Sequence, residues 1–129
     1  MRYRSRQMRR LLIVWLCLWG LFSIPWTSET ATPQWERVRA PRVRTTSQLR
    51  PDHILNVLFY IPLAPLGAGL GWALPVSVAA GGALSLTAET LQLFSTERSP
   101  DGNDIIANVA GTAIGAALVM VRRRRTARA

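Results

Sequence analysis

Apolar residues in this chain fall in long unbroken blocks rather than at strand or surface-helix periodicity, and those blocks set the reading. The first, Leu11–Trp26, follows a basic start, with Trp15 and Trp19 on one helical face and Trp26 at the far end, where an interfacial aromatic would stand. It is near the short limit for a span, which needs about 20 residues. Only a poor small-x-small pair, Glu29 and Ala31, follows it, so 11–26 reads as a retained signal anchor rather than a cleaved signal peptide. Segment 27–51 is polar, with Pro33, Pro41 and Pro51, and reads as an irregular outer loop. The block Ile54–Phe94 is about twice the length one span requires. It divides into a helix from about Asp52 to Leu70, kinked by Pro62 and Pro65, a tight turn within Gly69–Pro75, and a helix from about Val76 to Phe94. One span plus a re-entrant segment is the alternative division. The last block, Ile105–Val121, is stopped by Arg122–Arg125. The expected fold is an all-α membrane protein, four transmembrane helices in a small bundle.

Charge placement adds an orientation. The net charge is +9, and all 16 basic residues are arginine. Five lie in segment 1–10, five in 37–50, one at Arg98 and five in 122–128. Between Ile54 and Phe94 the only ionised side chain is Glu89. Such a distribution belongs to ends and loops around membrane helices and not to a nucleic-acid-binding surface. The clusters at 1–10 and 122–129 abut the first and last spans and read as basic cytoplasmic tails. The outer loop also carries five arginines, which runs against the rule; the abutting terminal clusters decide the orientation. The expectation is a multi-pass protein of the cytoplasmic (inner) membrane whose first partner is the lipid bilayer. Cys17 has no internal partner and reads as a small apolar filler.

Polar residues interrupt the apolar pattern mainly within Ser85–Gly115. Ser85, Glu89 and Gln92 share a helix face; beyond the break at 99–102, Asp104, Asn108, Gly111 and Gly115 form a second stripe at spacings of four, three and four. The expected topology brings the third-span end, the fourth-span start, and Asp52, His53 and Asn56 into one outer-leaflet layer. Three readings follow. As packing glue, Glu89 pairs with Arg98 while Asp101 and Asp104 cap the last helix. As a binding site, Asp52, Asn56, Glu89, Gln92, Arg98, Asp101, Asp104 and Asn108 receive a polar or anionic head group, with Arg98 and His53 recognising it. As a catalytic site, Glu89 or Asp104 acts as general base near His53 on a lipid-linked substrate, although no nucleophile motif accompanies them. A metal site from Asp52, Asp101 and Asp104 has no recognisable loop spacing, and a lone histidine gives no zinc signature, so no metal or cofactor is expected. Gly111 and Gly115 are set for close helix packing, against the third span or a second copy.

The run Glu89-x-x-Gln92, Arg98-x-x-Asp101-x-x-Asp104-x-x-x-Asn108-x-x-Gly111-x-x-x-Gly115 resembles the signature of the VanZ-like family of bacterial membrane proteins. Asp52-x-x-x-Asn56, leading into Ile61-Pro62-Leu63, resembles that family's earlier motif, so the likeness covers about 52–121 as a three-helix region. Ala64 stands where many members have Gly, and Asp52 and His53 are adjacent where many relatives space an Asp-Lys and a His apart. The resemblance implies a small envelope protein. It also implies a link to low-level resistance to teicoplanin-type glycopeptides. The leading reading of the polar site is non-catalytic, binding or shielding a cell-envelope component, with a lipid-linked envelope component or the glycopeptide as the partner. An intramembrane enzyme on a lipid-linked envelope precursor and a structural partner of another membrane protein are the alternatives.

Overall fold

The structure, a computed structural model, describes residues 2–23, 50–92 and 101–128. Within them lie α1 (Arg2–Ser23), α2 (Pro51–Tyr60), α3 (Leu63–Gly69), α4 (Leu74–Gln92) and α5 (Gly102–Thr126). The 27–49 part of the expected outer loop, Trp26 and Arg98 lie outside the described residues.

Helices α2 and α3 are two parts of one bent rod. Ile61 and Pro62, between them, keep right-handed helical angles. Pro62 and Pro65 supply no backbone N–H, so the carbonyls one turn before each lose their helical donor and the rod bends. The expected turn is residues 70–73, where Gly71 adopts φ +90, a conformation open to glycine and costly for other residues. Helix α1 begins within the basic start, and α5 continues through the arginine run to Thr126. Arginine ends the apolar stretch without ending the helix, because it is a good helix former and its charge suits a helix C-terminus.

Large apolar side chains face outwards along these helices. Leu58, Leu86, Ile106 and Leu118 are all more than half exposed. The inward face of α4 is Ser77, Gly81, Ser85, Ala88, Glu89 and Gln92, and that of α5 is Ala107, Asn108, Gly111, Thr112, Gly115 and Ala116. An apolar exterior around a small and polar interior is the arrangement lipid favours. Helices α4 and α5 are long and apolar enough to cross a membrane.

Helix α5 is the hub and packs on α2, α3 and α4. Its glycines meet the bent rod, which corrects the expected pairing with the third span or a second copy. A Cβ on Gly111 would overlap the Val57 carbonyl, and one on Gly115 would overlap that of Ile61. Pro65 is the residue that leaves the Ile61 carbonyl without a helical donor, so the backbone of α5 comes close where α2–α3 has a carbonyl to spare. On the other side, Gly81 of α4 admits Thr112. Helix α1 closes the bundle with a small apolar core, Leu12, Trp15 and Trp19 against Tyr60 and Leu63. The Trp15 indole donates to the Phe59 carbonyl at 2.8 Å, and the Trp19 indole to the Tyr60 hydroxyl at 2.7 Å.

The contacts fix which ends coincide. Met8 reaches Gly69, and the start of α4 shares a groove with Met120 and Arg123. Both basic termini and the uncharged 70–73 turn therefore lie at one end of the bundle. The start of α2, the end of α4 and the start of α5 lie at the other.

Candidate functional site at the end opposite the basic tails

Three chain segments build this end. Asp101 is the N-cap of α5: its Oδ1 accepts the Asn103 N–H at 2.9 Å, satisfying a donor the first helical turn leaves free. Its own backbone N–H donates to Glu89 Oε2 at 2.7 Å. The Glu89 carboxylate thus receives a charge-assisted bond from the chain entering α5; Arg98, the partner expected from the sequence, lies outside the described residues. Glu89 and Gln92 are both buried.

His53 is held by the start of α2. Its backbone N–H donates to the Arg50 carbonyl at 3.0 Å, and its Nδ1 accepts the Arg50 N–H at 3.3 Å. An accepting Nδ1 puts the proton of the neutral ring on Nε2. That nitrogen faces Asp101 Oδ2 at 3.8 Å and Asp104 Oδ1 at 3.7 Å. Both separations exceed hydrogen-bond length, so the ring stands between two carboxylates with a purely electrostatic coupling to each. The His53 side chain is buried, with an exposure of 8%. Asn56 and Asp52 lie within electrostatic reach of the same Asp104 carboxylate. Asp52 itself stands at the exposed rim, 3.5 Å from Arg50, in a surface pair of little energetic weight.

One turn deeper, Asn108 Nδ2 donates to Ser85 Oγ at 2.8 Å, and Thr112 Oγ1 donates to the Asn108 carbonyl at 3.0 Å. Asn108 Oδ1 and Ser77 Oγ are buried without a hydrogen-bond partner. The structure therefore gathers His53, Asn56, Glu89, Gln92, Asp101 and Asp104 at one end, with Asn108 beneath them and Asp52 outside. Sequence reasoning passed over Ser77 and Thr112. The four-residue spacing Ser77, Gly81, Ser85, Glu89 was the signal for the first, and Asn108 to Thr112 for the second. Among the described residues no group of three or more His, Cys, Asp or Glu is arranged to hold a metal ion.

The profile of the VanZ/LLP1 family matches residues 10–123. No curated protein matches the chain, and no solved structure does.

Proposed function

The chain belongs to the VanZ/LLP1 family, and from that membership and the buried cluster we propose a non-catalytic, multi-span envelope protein of the cytoplasmic membrane. Its outward-facing polar site binds or shields a cell-envelope component and thereby alters susceptibility to teicoplanin-type glycopeptides. The carrying observation is the burial of His53 between Asp101 and Asp104, next to the Glu89 carboxylate, at one end of a bundle whose exterior is apolar. Charged groups that face the inside of such a bundle are costly and mark binding sites or conduits more often than filler. Family membership is consistent with an envelope role.

Orientation follows from the arginines. Both basic termini share the far end, and arginine beside a span favours the cytoplasm, so the cluster faces outwards. Helix α1 and the bent α2–α3 rod serve as the further spans; the rod's 19 residues from Pro51 to Gly69 would reach about 28 Å if straight, against a hydrocarbon core of about 30 Å. The topology is tested with a Ser99→Cys, Cys17→Ser protein: a membrane-impermeant maleimide should label intact cells, and labelling only after lysis would reverse the orientation. Function is tested with Glu89→Gln and Arg98→Ala, reading glycopeptide susceptibility and protein level together. Loss of the phenotype with normal accumulation supports a binding role. Loss of the protein itself would return the cluster to structural glue.

His53 facing two carboxylates is also acid–base geometry, and favours as the alternative an enzyme on a lipid-linked precursor. An unchanged envelope-lipid profile in a deletion strain would count against it.

A further inference from the structure

At the opposite end of the bundle, independent of the polar cluster, lies a groove of about 790 Å³ between the start of α4 and the end of α5. Ala73, Leu74, Pro75, Val78 and Ala79 form one wall, and Met120 and Arg123 the other. The small side chains of Ala73 and Ala79 leave the space open. Arg123 is the only charged residue of the lining among the described residues. Its guanidinium has no carboxylate partner among the described residues: every described acidic side chain lies at the far end, in or beside the cluster. Among the described residues the groove is thus apolar along its length with one unmatched cation, and it opens on the outer surface of helices whose large side chains face lipid.

We propose that this groove is a binding site for an anionic phospholipid, its acyl chain lying along Val78, Ala79 and Met120 and its phosphate paired with Arg123. Charge complementarity selects this occupant. Neighbouring Arg122, Arg124 and Arg125 raise the local potential, but only Arg123 borders the groove. A guanidinium engages phosphate oxygens through two parallel N–H donors, which a mobile ammonium cannot do. The groove is open along its length, so an acyl chain can enter from the side.

The site differs from general attraction between a basic tail and a charged leaflet, and the difference is measurable. General attraction is worth about 1 kcal/mol per arginine near the surface, or about fivefold in affinity for each residue alike. The groove makes Arg123 unequal to its neighbours and makes an uncharged substitution matter. The test purifies the full chain in detergent, titrates dimyristoyl phosphatidylglycerol or dimyristoyl phosphatidylcholine, and counts bound lipid by native mass spectrometry. Phosphatidylglycerol should bind in preference. Arg123→Gln should weaken it several-fold more than Arg122→Gln or Arg125→Gln. Ala79→Phe, at an exposed position where folding is not at stake, should fill the groove and displace the lipid with every charge intact. Equal losses for the three arginine variants, no preference between the two lipids, or full binding to the Ala79→Phe protein would each overturn the proposal. So would protection of the groove by a second copy of the chain, seen as dimers that exclude lipid.

Discussion

Gly111→Ala tests the central packing claim, that the backbone of α5 touches the backbone of the α2–α3 rod. The added methyl would overlap the Val57 carbonyl oxygen and lie 3.0 Å from both Val57 C and Val57 Cα. Comfortable carbon contacts are about 3.5–4.0 Å, and a carbonyl within a helix has no rotamer by which to withdraw. The two helices must separate. Overfilling a packed interface costs about 1–3 kcal/mol, and the close Cα–H···O contacts it would lengthen are worth about 0.5–1 kcal/mol each. Alanine returns about 1 kcal/mol as the better helix former, which leaves a net loss of about 0.5–3 kcal/mol. Gly82→Ala is the matched control, since its Cβ would sit 3.6 Å from Val109 Cγ2, an ordinary contact. That change should be neutral or stabilise by up to about 1 kcal/mol. Both proteins would be unfolded from mixed micelles with rising dodecyl sulfate, followed by tryptophan fluorescence and circular dichroism. A Gly111→Ala midpoint at or above that of Gly82→Ala would refute the backbone contact.

The same unfolding assay reads three further changes. Asp101→Ala should cost about 1 kcal/mol through loss of the α5 cap, while Asp101→Asn keeps a capping oxygen and should cost clearly less; equal losses would show that the cap is not the cause. Trp19→Phe should cost about 0.5–1.5 kcal/mol by leaving the Tyr60 hydroxyl without its donor, and adding Tyr60→Phe should recover part of it; a double variant as weak as the sum of the singles would show that the two side chains are not coupled. Ser77→Ala removes a hydroxyl with no partner and should be neutral or stabilising, whereas Ser85→Ala breaks the Asn108 bond and should cost about 0.6 kcal/mol, at most about 1.7; the reverse order would place the hydrogen bond elsewhere.

Much of this arrangement was legible before the structure. Length and composition of the apolar blocks carried the helices, and glycine and proline density carried the turn at 70–73. Helix periodicity put Ser85, Glu89 and Gln92 on one buried face. Partner choice was not legible. The bond from the Asp101 N–H to Glu89 involves a backbone donor, which no pattern of side chains announces. His53 could not be ranked from its neighbours, because its importance comes from two carboxylates about 50 residues away. The glycine stripe of α5 announced close packing but not its target. That target is the backbone of the α2–α3 rod at Val57 and Ile61, a feature of backbone geometry on a different segment.

The glycine contacts and the polar cluster are not independent features. Both lie along one interface, between the α2–α3 rod and α5: His53 faces Asp101 and Asp104, one turn on Val57 meets Gly111, and one further turn Ile61 meets Gly115. Backbone-to-backbone contacts of this kind admit one register, since a one-residue slip would drive Thr112 or Ala116 into the space that only glycine fits. The register fixed at Gly111 and Gly115 therefore sets where the His53 ring stands relative to the two carboxylates. At 3.7 and 3.8 Å those pairs are already beyond bonding distance, so a further separation of about an ångström would weaken the coupling and leave Glu89 and Asp101, joined to each other, in place. Gly111→Ala should then alter the polar cluster even in the fraction of protein that folds, which is why the glycines belong to the site although neither reaches it.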